Sequence, residues 1–234
     1  MRAVLKKELR QYIATPIGSV FIAAYFAIVG YYVMVGLLLP ASSDISGLFY
    51  SVFSVLTVLV PLLTMRSFAE ERRMRTEPLL LTSPESVLHI AVGKFLAAYL
   101  VFLCGSLSFL PPLFLVGRCG ALEPMETVGN LIALLLVGGA YIAIGLFASA
   151  ITESQVVAAV VSYAIMLGLW LLDYLRYYAA DGLLSDVVSY LSFRTHFSTL
   201  SSGIFSLSTL VYFASLTVLM FALTCMAVEH RREK

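Results

Sequence analysis

Six stretches of the chain are apolar and free of charge for seventeen residues or more: Gly18–Leu39, Gly47–Met65, Phe95–Gly117, Val128–Ile151, Val156–Leu172 and Leu207–Val228. Their apolar positions run continuously instead of alternating, which predicts helices and not barrel strands. A hydrocarbon layer about 30 Å thick is crossed by roughly 20 helical residues, and the six runs meet or approach that length. The fifth is the shortest, with Asp173 at its interface end. The first is too long for the apolar core of a signal peptide, usually about 7–15 residues, and reads as a retained span. The fold class predicted is therefore an all-α polytopic membrane protein with six transmembrane helices in a single domain, residues 1–234.

The segments between the runs carry the information that the spans lack. Residues 1–16 hold an amphipathic helix over 2–14. Leu5, Leu9, Tyr12 and Ile13 share one face, and Lys6, Lys7 and Arg10 share the adjacent one. Pro16 stops it and pushes Thr15 out of helical geometry. Such a helix lies flat where basic residues meet anionic lipid; it reads equally as a plain topology anchor or as part of a partner contact. After spans one and two (18–65), residues 66–94 form the one long charged segment, with nine of the chain's 29 formal charges. Arg66–Arg75 reads as a helix continuing the second span. Thr76 caps a short helix over Glu77–Thr82 that presents Leu79, Leu80 and Leu81. Ser83 and Pro84 then open the helix of the third span. The three leucines suit burial among lipid headgroups or docking of a cytoplasmic protein. Spans three to five occupy 95–172. The outer segment 173–206, rich in aromatic residues, suits interfacial or re-entrant helices, and the sixth span takes 207–228.

Composition agrees with this class: 60% of the 234 residues are apolar and 12% charged, about half the charge of an average soluble domain. The formal net charge of +1 identifies no partner, and no nucleic acid is expected. Orientation follows from where Lys and Arg sit. Twelve fall on one side, in the N-terminal tail, the 66–94 segment and the C-terminal tail. Three, Arg118, Arg176 and Arg194, fall on the other. The majority side is the cytoplasmic one, so both termini lie inside. Cys104, Cys119 and Cys225 have no metal-ligand spacing and read as small apolar packing residues.

The search for chemistry yields exclusions. Gly93–Lys94 is followed by Phe95 and lacks the upstream glycine of a phosphate-binding loop. No charged residue falls at mid-membrane depth, which argues against ion-coupled transport through buried carboxylates. Asn130 reads as a helix–helix hydrogen-bonding residue. Glu70, Glu71 and Arg75 spell the E-E-x-x-x-R string of an intramembrane protease family. Its histidine partners would be His89, His196 and His230, which lie at an inner interface, in an outer loop and in the C-terminal tail. Glu and Arg at this spacing also make ordinary helical salt bridges.

Four strings in order resemble the type-2 ABC exporter permeases of the gliding-motility and copper-maturation branch. They are KKELRQYIATPIGSVFIAAYFAIVGYY (Lys6–Tyr32), RSFAEERRMRTEPLLLTSPESVLHIAVGKFLAA (Arg66–Ala98), SAITESQVVAA (Ser149–Ala159) and SYLSFRTHFSTLSSGIFSLSTLVYF (Ser189–Phe213). Arg75 stands where that family has glycine, so the turn before the leucine cluster is expected to be more helical. The resemblance implies a six-helix subunit that pairs with a second copy in a bacterial inner membrane. It also implies a cytoplasmic ATPase subunit that binds ATP and magnesium; this chain itself holds no cofactor, no metal and no catalytic residue. Glu70, Glu71, Leu79, Leu80, Leu81 and Thr82 would contact the ATPase, with Lys6, Lys7, Leu9 and Tyr12 on the flanking interfacial helix. His196, Phe197 and Gly203 match the family's outer segment. An accessory subunit with a large outer domain is a further partner in that branch. The competing readings are a stand-alone channel or secondary transporter, and the intramembrane protease.

Overall fold

Long apolar runs without a charge have one way to satisfy their backbone amides in a membrane, the helix, and helix is what the chain forms. A computed structural model describes residues 2–40, 42, 44–75, 86–118, 123–178 and 192–232. Among them there is no strand. The elements are α1 (Arg2–Ala14), α2 (Pro16–Val33), α3 (Ile45–Thr64), α4 (Ala69–Arg73), α5 (Val87–Ser106), α6 (Leu110–Arg118), α7 (Pro124–Ile151), α8 (Gln155–Tyr178), α9 (Phe193–Ser201) and α10 (Leu207–Arg232). Five helical segments are long and apolar enough to cross a membrane: Pro16–Leu38, Ile45–Arg73, Val87–Arg118, Pro124–Ile151 and Leu207–Arg231. Gln155–Leu171 is a shorter apolar helix. The architecture is that of a multi-pass membrane protein.

Several boundaries differ from the sequence reading, each for a local reason. The second span does not run on as one helix through Arg75. It stops at Thr64, turns over Met65–Phe68 and resumes as α4. The Ser149 hydroxyl of α7 accepts from the amides of Phe68 (2.9 Å) and Ala69 (3.0 Å), so a neighbouring helix supplies the partners for the broken turn. The third span bends: α5 tightens to a 3₁₀ turn over Leu107–Phe109 before α6. Pro111 and Pro112 stand just beyond, with no amides to donate. The helix of the third span is capped by Ser86, whose hydroxyl accepts from His89 N (3.3 Å); Ser83 and Pro84 lie outside the described residues. The helix of the fifth run continues past Asp173 to Tyr178, while its apolar stretch ends at Leu171.

α7 is the central column. In its most apolar stretch 72% of the residues are buried, against 17% in α10 and 28% in α2. It packs on α3, α5, α8, α9 and α10. Water gives no hydrophobic drive between helices in lipid, so close packing must supply the attraction, and small residues permit it. At Gly145 the crossing with α3 is so close that a Cβ would meet the Thr64 hydroxyl, itself held to the Val60 carbonyl at 3.0 Å. Aromatic rings fill the wider gaps. Phe53 stacks on Phe197 (4.6 Å), Trp170 (5.4 Å) and Tyr141 (5.6 Å), and Phe49 stacks on Phe109 (4.3 Å).

The crossing at Gly145 predicts its own test. Gly145→Val should lower stability by about 2 kcal/mol, the usual scale of overpacking in a filled core. Thermal unfolding of detergent-solubilised protein checks it, with Gly168→Val as the control, since nothing lies within 4 Å of a Cβ there.

Candidate functional site

α1 forms over the predicted residues, with Thr15 extended and Pro16 opening α2. Its buried face differs from the prediction. Tyr12 is buried and Leu5 and Leu9 are half-buried, but Ile13 is 79% exposed and Glu8 is buried in its place. Positions 5, 8 and 12 share a stripe at helical spacing, so a carboxylate points into the packed side of the helix.

The partner of Glu8 is Lys94, on the first turns of α5. Its ammonium is 2.8 Å from Glu8 and 3.0 Å from Glu71, donates to the Ser67 carbonyl at 2.5 Å and stands 5.0 Å from the centre of the Phe68 ring. The Lys94 side chain is 1% exposed. A buried cation is tolerated only when paired and hydrogen-bonded, and here residues of α1, the 65–68 turn and α4 complete the pairing. Glu71 also binds Lys7 (3.0 Å). Glu70 holds Arg66 (2.7 Å) and accepts from Gln11 (3.4 Å). The Tyr12 hydroxyl donates to the Leu63 carbonyl (3.3 Å) and lies 3.4 Å from Ser67 Oγ. From the other side, Arg72 pairs with Glu153 in the α7–α8 turn (2.7 Å). The N-terminal helix, residues 63–73, the start of α5 and the 152–155 turn thus share one end of the bundle.

Burial raises Tyr12 to about 12, with the Ser67 contact opposing it. For Lys7, burial alone would lower the ammonium. The hydrogen bond and charge of Glu71, with the charge of Glu8, outweigh that and leave it raised.

The opposite end is joined mainly by neutral groups, with Ser46 Oγ also 3.5 Å from the Glu126 carboxylate. Asn130, fully buried on α7, donates to Ser46 Oγ (3.0 Å) and to the Glu126 carbonyl (2.9 Å), and accepts from Ser201 Oγ (2.7 Å). This is the interhelical role expected of it. Phe197 and His196 are both buried on α9; the His196 ring stacks on Tyr212 at 4.3 Å and its Nδ1 lies 3.2 Å from Thr209 Oγ1. Gly203 has φ +74 and closes α9 in a Schellman turn. Its amide donates to the Leu200 carbonyl (3.0 Å) and Ile204 N donates to the Thr199 carbonyl (3.2 Å).

Of the sequence-predicted residues, the structure brings Lys7, Tyr12, Glu70 and Glu71 into one cluster. Lys6 is exposed on α1. Leu79, Leu80, Leu81 and Thr82, with the short helix over Glu77–Thr82, lie outside the described residues. The turn before them is not more helical than a glycine would make it. Arg75 takes φ +55, the one non-glycine residue with positive φ among those described, and closes α4 in the left-handed geometry that glycine adopts without cost. Glu8, Lys94 and Ser149 were missed. The signal was present for two of them: a carboxylate on an apolar helix face, and a lone cation inside the apolar run Ile90–Ala98. Among the described residues no cluster of three or more His, Cys, Asp or Glu could hold a metal, and Glu70 and Glu71 are engaged with Arg66, Gln11, Lys7 and Lys94. Compared with known proteins, the chain matches no family model and no curated relative.

Removing the cation should be costlier than removing the whole pair. Lys94→Met leaves buried carboxylates facing each other and should destabilise by about 3 kcal/mol, whereas Glu8→Leu with Lys94→Met should recover at least half of that. Chemical denaturation of the single and double variants measures the difference; additive losses would contradict the coupling. The raised Tyr12 and Lys7 predict a loss at alkaline pH. A raised folded value means stability is complete below the unfolded value, 10.0 for Tyr12, and is lost as pH climbs toward 12. Tyr12→Phe should flatten that decline, read from melting temperature against pH.

Proposed function

We propose that this chain is the membrane-spanning permease subunit of an ATP-driven exporter in a bacterial inner membrane. It has six transmembrane helices, with α8 as the fifth span, and its charged end faces the cytoplasm. The reading rests on the resemblance of four strings in order. One structural observation supports it: the long charged segment is fastened by ion pairs to α1, α5 and the α7–α8 turn. A push on residues 76–85 from an ATPase subunit would then reach three parts of the bundle together, not a loose loop.

In this reading the ATPase binds ATP and magnesium and performs the hydrolysis. Leu79, Leu80, Leu81 and Thr82 form the docking face. Glu70 and Glu71 act by tying that face to α1 and α5. A second copy completes the translocation path, and an accessory subunit with a large outer domain can join it. The Lys and Arg excess on the same end favours the cytoplasmic orientation. Glu70 and Glu71 are engaged with Arg66, Gln11, Lys7 and Lys94, which favours a structural role for them.

Leu80→Glu should reduce recovery of the ATPase with the affinity-tagged membrane chain by about tenfold or more, the scale for losing a buried anchor at an interface. The melting temperature of the membrane domain should not change. Undiminished recovery of the ATPase, or an outward-facing position 80 in a labelling experiment on sealed cells, would refute the docking assignment.

A further inference from the structure

An open groove of about 490 Å³ lies between α4 and the α7–α8 turn. Arg72, Arg73, Arg75, Glu153, Ser154 and Gln155 line it. Arg72 is paired with Glu153 at 2.7 Å, which leaves two of the three guanidiniums without a counter-charge in the groove. Arg73 and Arg75 are exposed, and no acidic residue pairs with either among those described. Arg75 owes its place there to the left-handed turn at φ +55 that ends α4.

The groove also has an apolar exit. Val156 forms its edge and is 70% exposed. Val160, Tyr163, Leu167 and Leu171 follow it along α8, all exposed and at the spacing of one helix face. A basic hollow that opens onto an apolar stripe of a span-like helix matches one class of ligand better than others. A soluble anion would use the hollow alone, and an acidic soluble protein would have no use for the stripe. A phosphodiester headgroup would take the guanidiniums, which suit phosphate oxygens in bidentate geometry, while its acyl chain covers the valines and leucines.

We infer that the groove between α4 and the α7–α8 turn is a headgroup site for an anionic phospholipid, with one acyl chain laid along Val156, Val160 and Leu167. The assignment does not rest on the transport reading. It requires only that α8 meets lipid. Its consequence is that lipid charge braces α4 from the side opposite the Lys94 cluster.

The test uses the full chain, purified in neutral detergent, stripped of lipid and titrated with phosphatidylglycerol or with phosphatidylcholine of the same acyl chains. Native mass spectrometry counts the lipid retained. One phosphatidylglycerol per chain should be held about tenfold more tightly than phosphatidylcholine, and millimolar inorganic phosphate should not displace it. Arg73→Gln with Arg75→Gly should weaken retention by about twenty-fivefold, roughly fivefold for each cation near a charged membrane surface. Arg75→Gly suits the left-handed turn, so a loss there is not a loss of folding. Val156→Ser with Val160→Ser should weaken both lipids together, and Arg118→Gln, at the far end, should change nothing. Equal retention of the two lipids, unchanged retention in the double arginine variant, or displacement by phosphate as an adventitious ion only would overturn the assignment. So would arginine substitutions that alter oligomeric state without loss of lipid, since a second copy would then occupy the groove.

Discussion

A lysine ammonium buried to 1% exposure sets the terms for one whole end of this molecule. The penalty for stripping water from an ammonium is several kcal/mol even after relaxation. Lys94 therefore constrains every element that touches it. Glu8 must be present, so α1 must lie against α5 with that face inward. Glu71 must be present, so α4 must follow α3 at a fixed angle. The Ser67 carbonyl must be free to accept, so the helix has to be broken between Thr64 and Ala69. Each of these would be arbitrary alone. Together they are the conditions under which one cation can be buried.

The rest of the bundle makes that arrangement attainable. α7 brings Ser149 to the break and satisfies two amides and the Met65 carbonyl with one hydroxyl (2.9, 3.0 and 3.2 Å). It reaches them because small residues let α3 and α7 run close together up to Gly145 and Thr64. The polar groups sit at the two ends of α7 and the middle is filled by aromatic and aliphatic side chains. Within that middle, Trp170 Nε1 donates to the Tyr141 hydroxyl (3.0 Å), so the polar atom buried there is also satisfied.

Helix identity was legible in the sequence because an uncharged run of twenty residues admits only one structure in a membrane. α1 was legible to the residue, since Pro16 and the positions around it act locally. What was not legible depended on contacts across the fold. The break after Thr64 has no local breaker at its site, because the hydroxyl that stabilises it comes from Ser149, more than eighty residues away. The misassignment of Ile13 and the omission of Glu8 have one cause. Hydrophobicity ranks isoleucine for burial and glutamate for water, and only the position of Lys94 reverses that order. Arg75 is the opposite case. Its residue type argued for more helix, yet the chain turns there in the left-handed geometry that glycine adopts freely, and the arginine accepts a conformation costing roughly 1–2 kcal/mol.

The two ends of the bundle differ in kind, and the difference bears on how a force would travel. At the Asn130 end the fastenings are mainly neutral hydrogen bonds, each with a net worth of about 1 kcal/mol, with one longer contact from Ser46 to the Glu126 carboxylate. At the Lys94 end the fastenings are charged: four carboxylates pair with four cations, and removing Lys94 or Glu8 strands a buried partner at a cost of about 3–5 kcal/mol, whereas the exposed Lys7–Glu71 and Arg72–Glu153 pairs add little. Displacement of residues 66–73 by any partner therefore meets two unequal resistances. Separating α4 from α1 and α5 costs more than moving all three as a unit. The unit's far boundary is the weaker set of contacts around Ser46, Asn130 and Ser201. If the charged segment is a place where work is done on this protein, the physics favours motion that preserves the ionic end and is taken up at the neutral one.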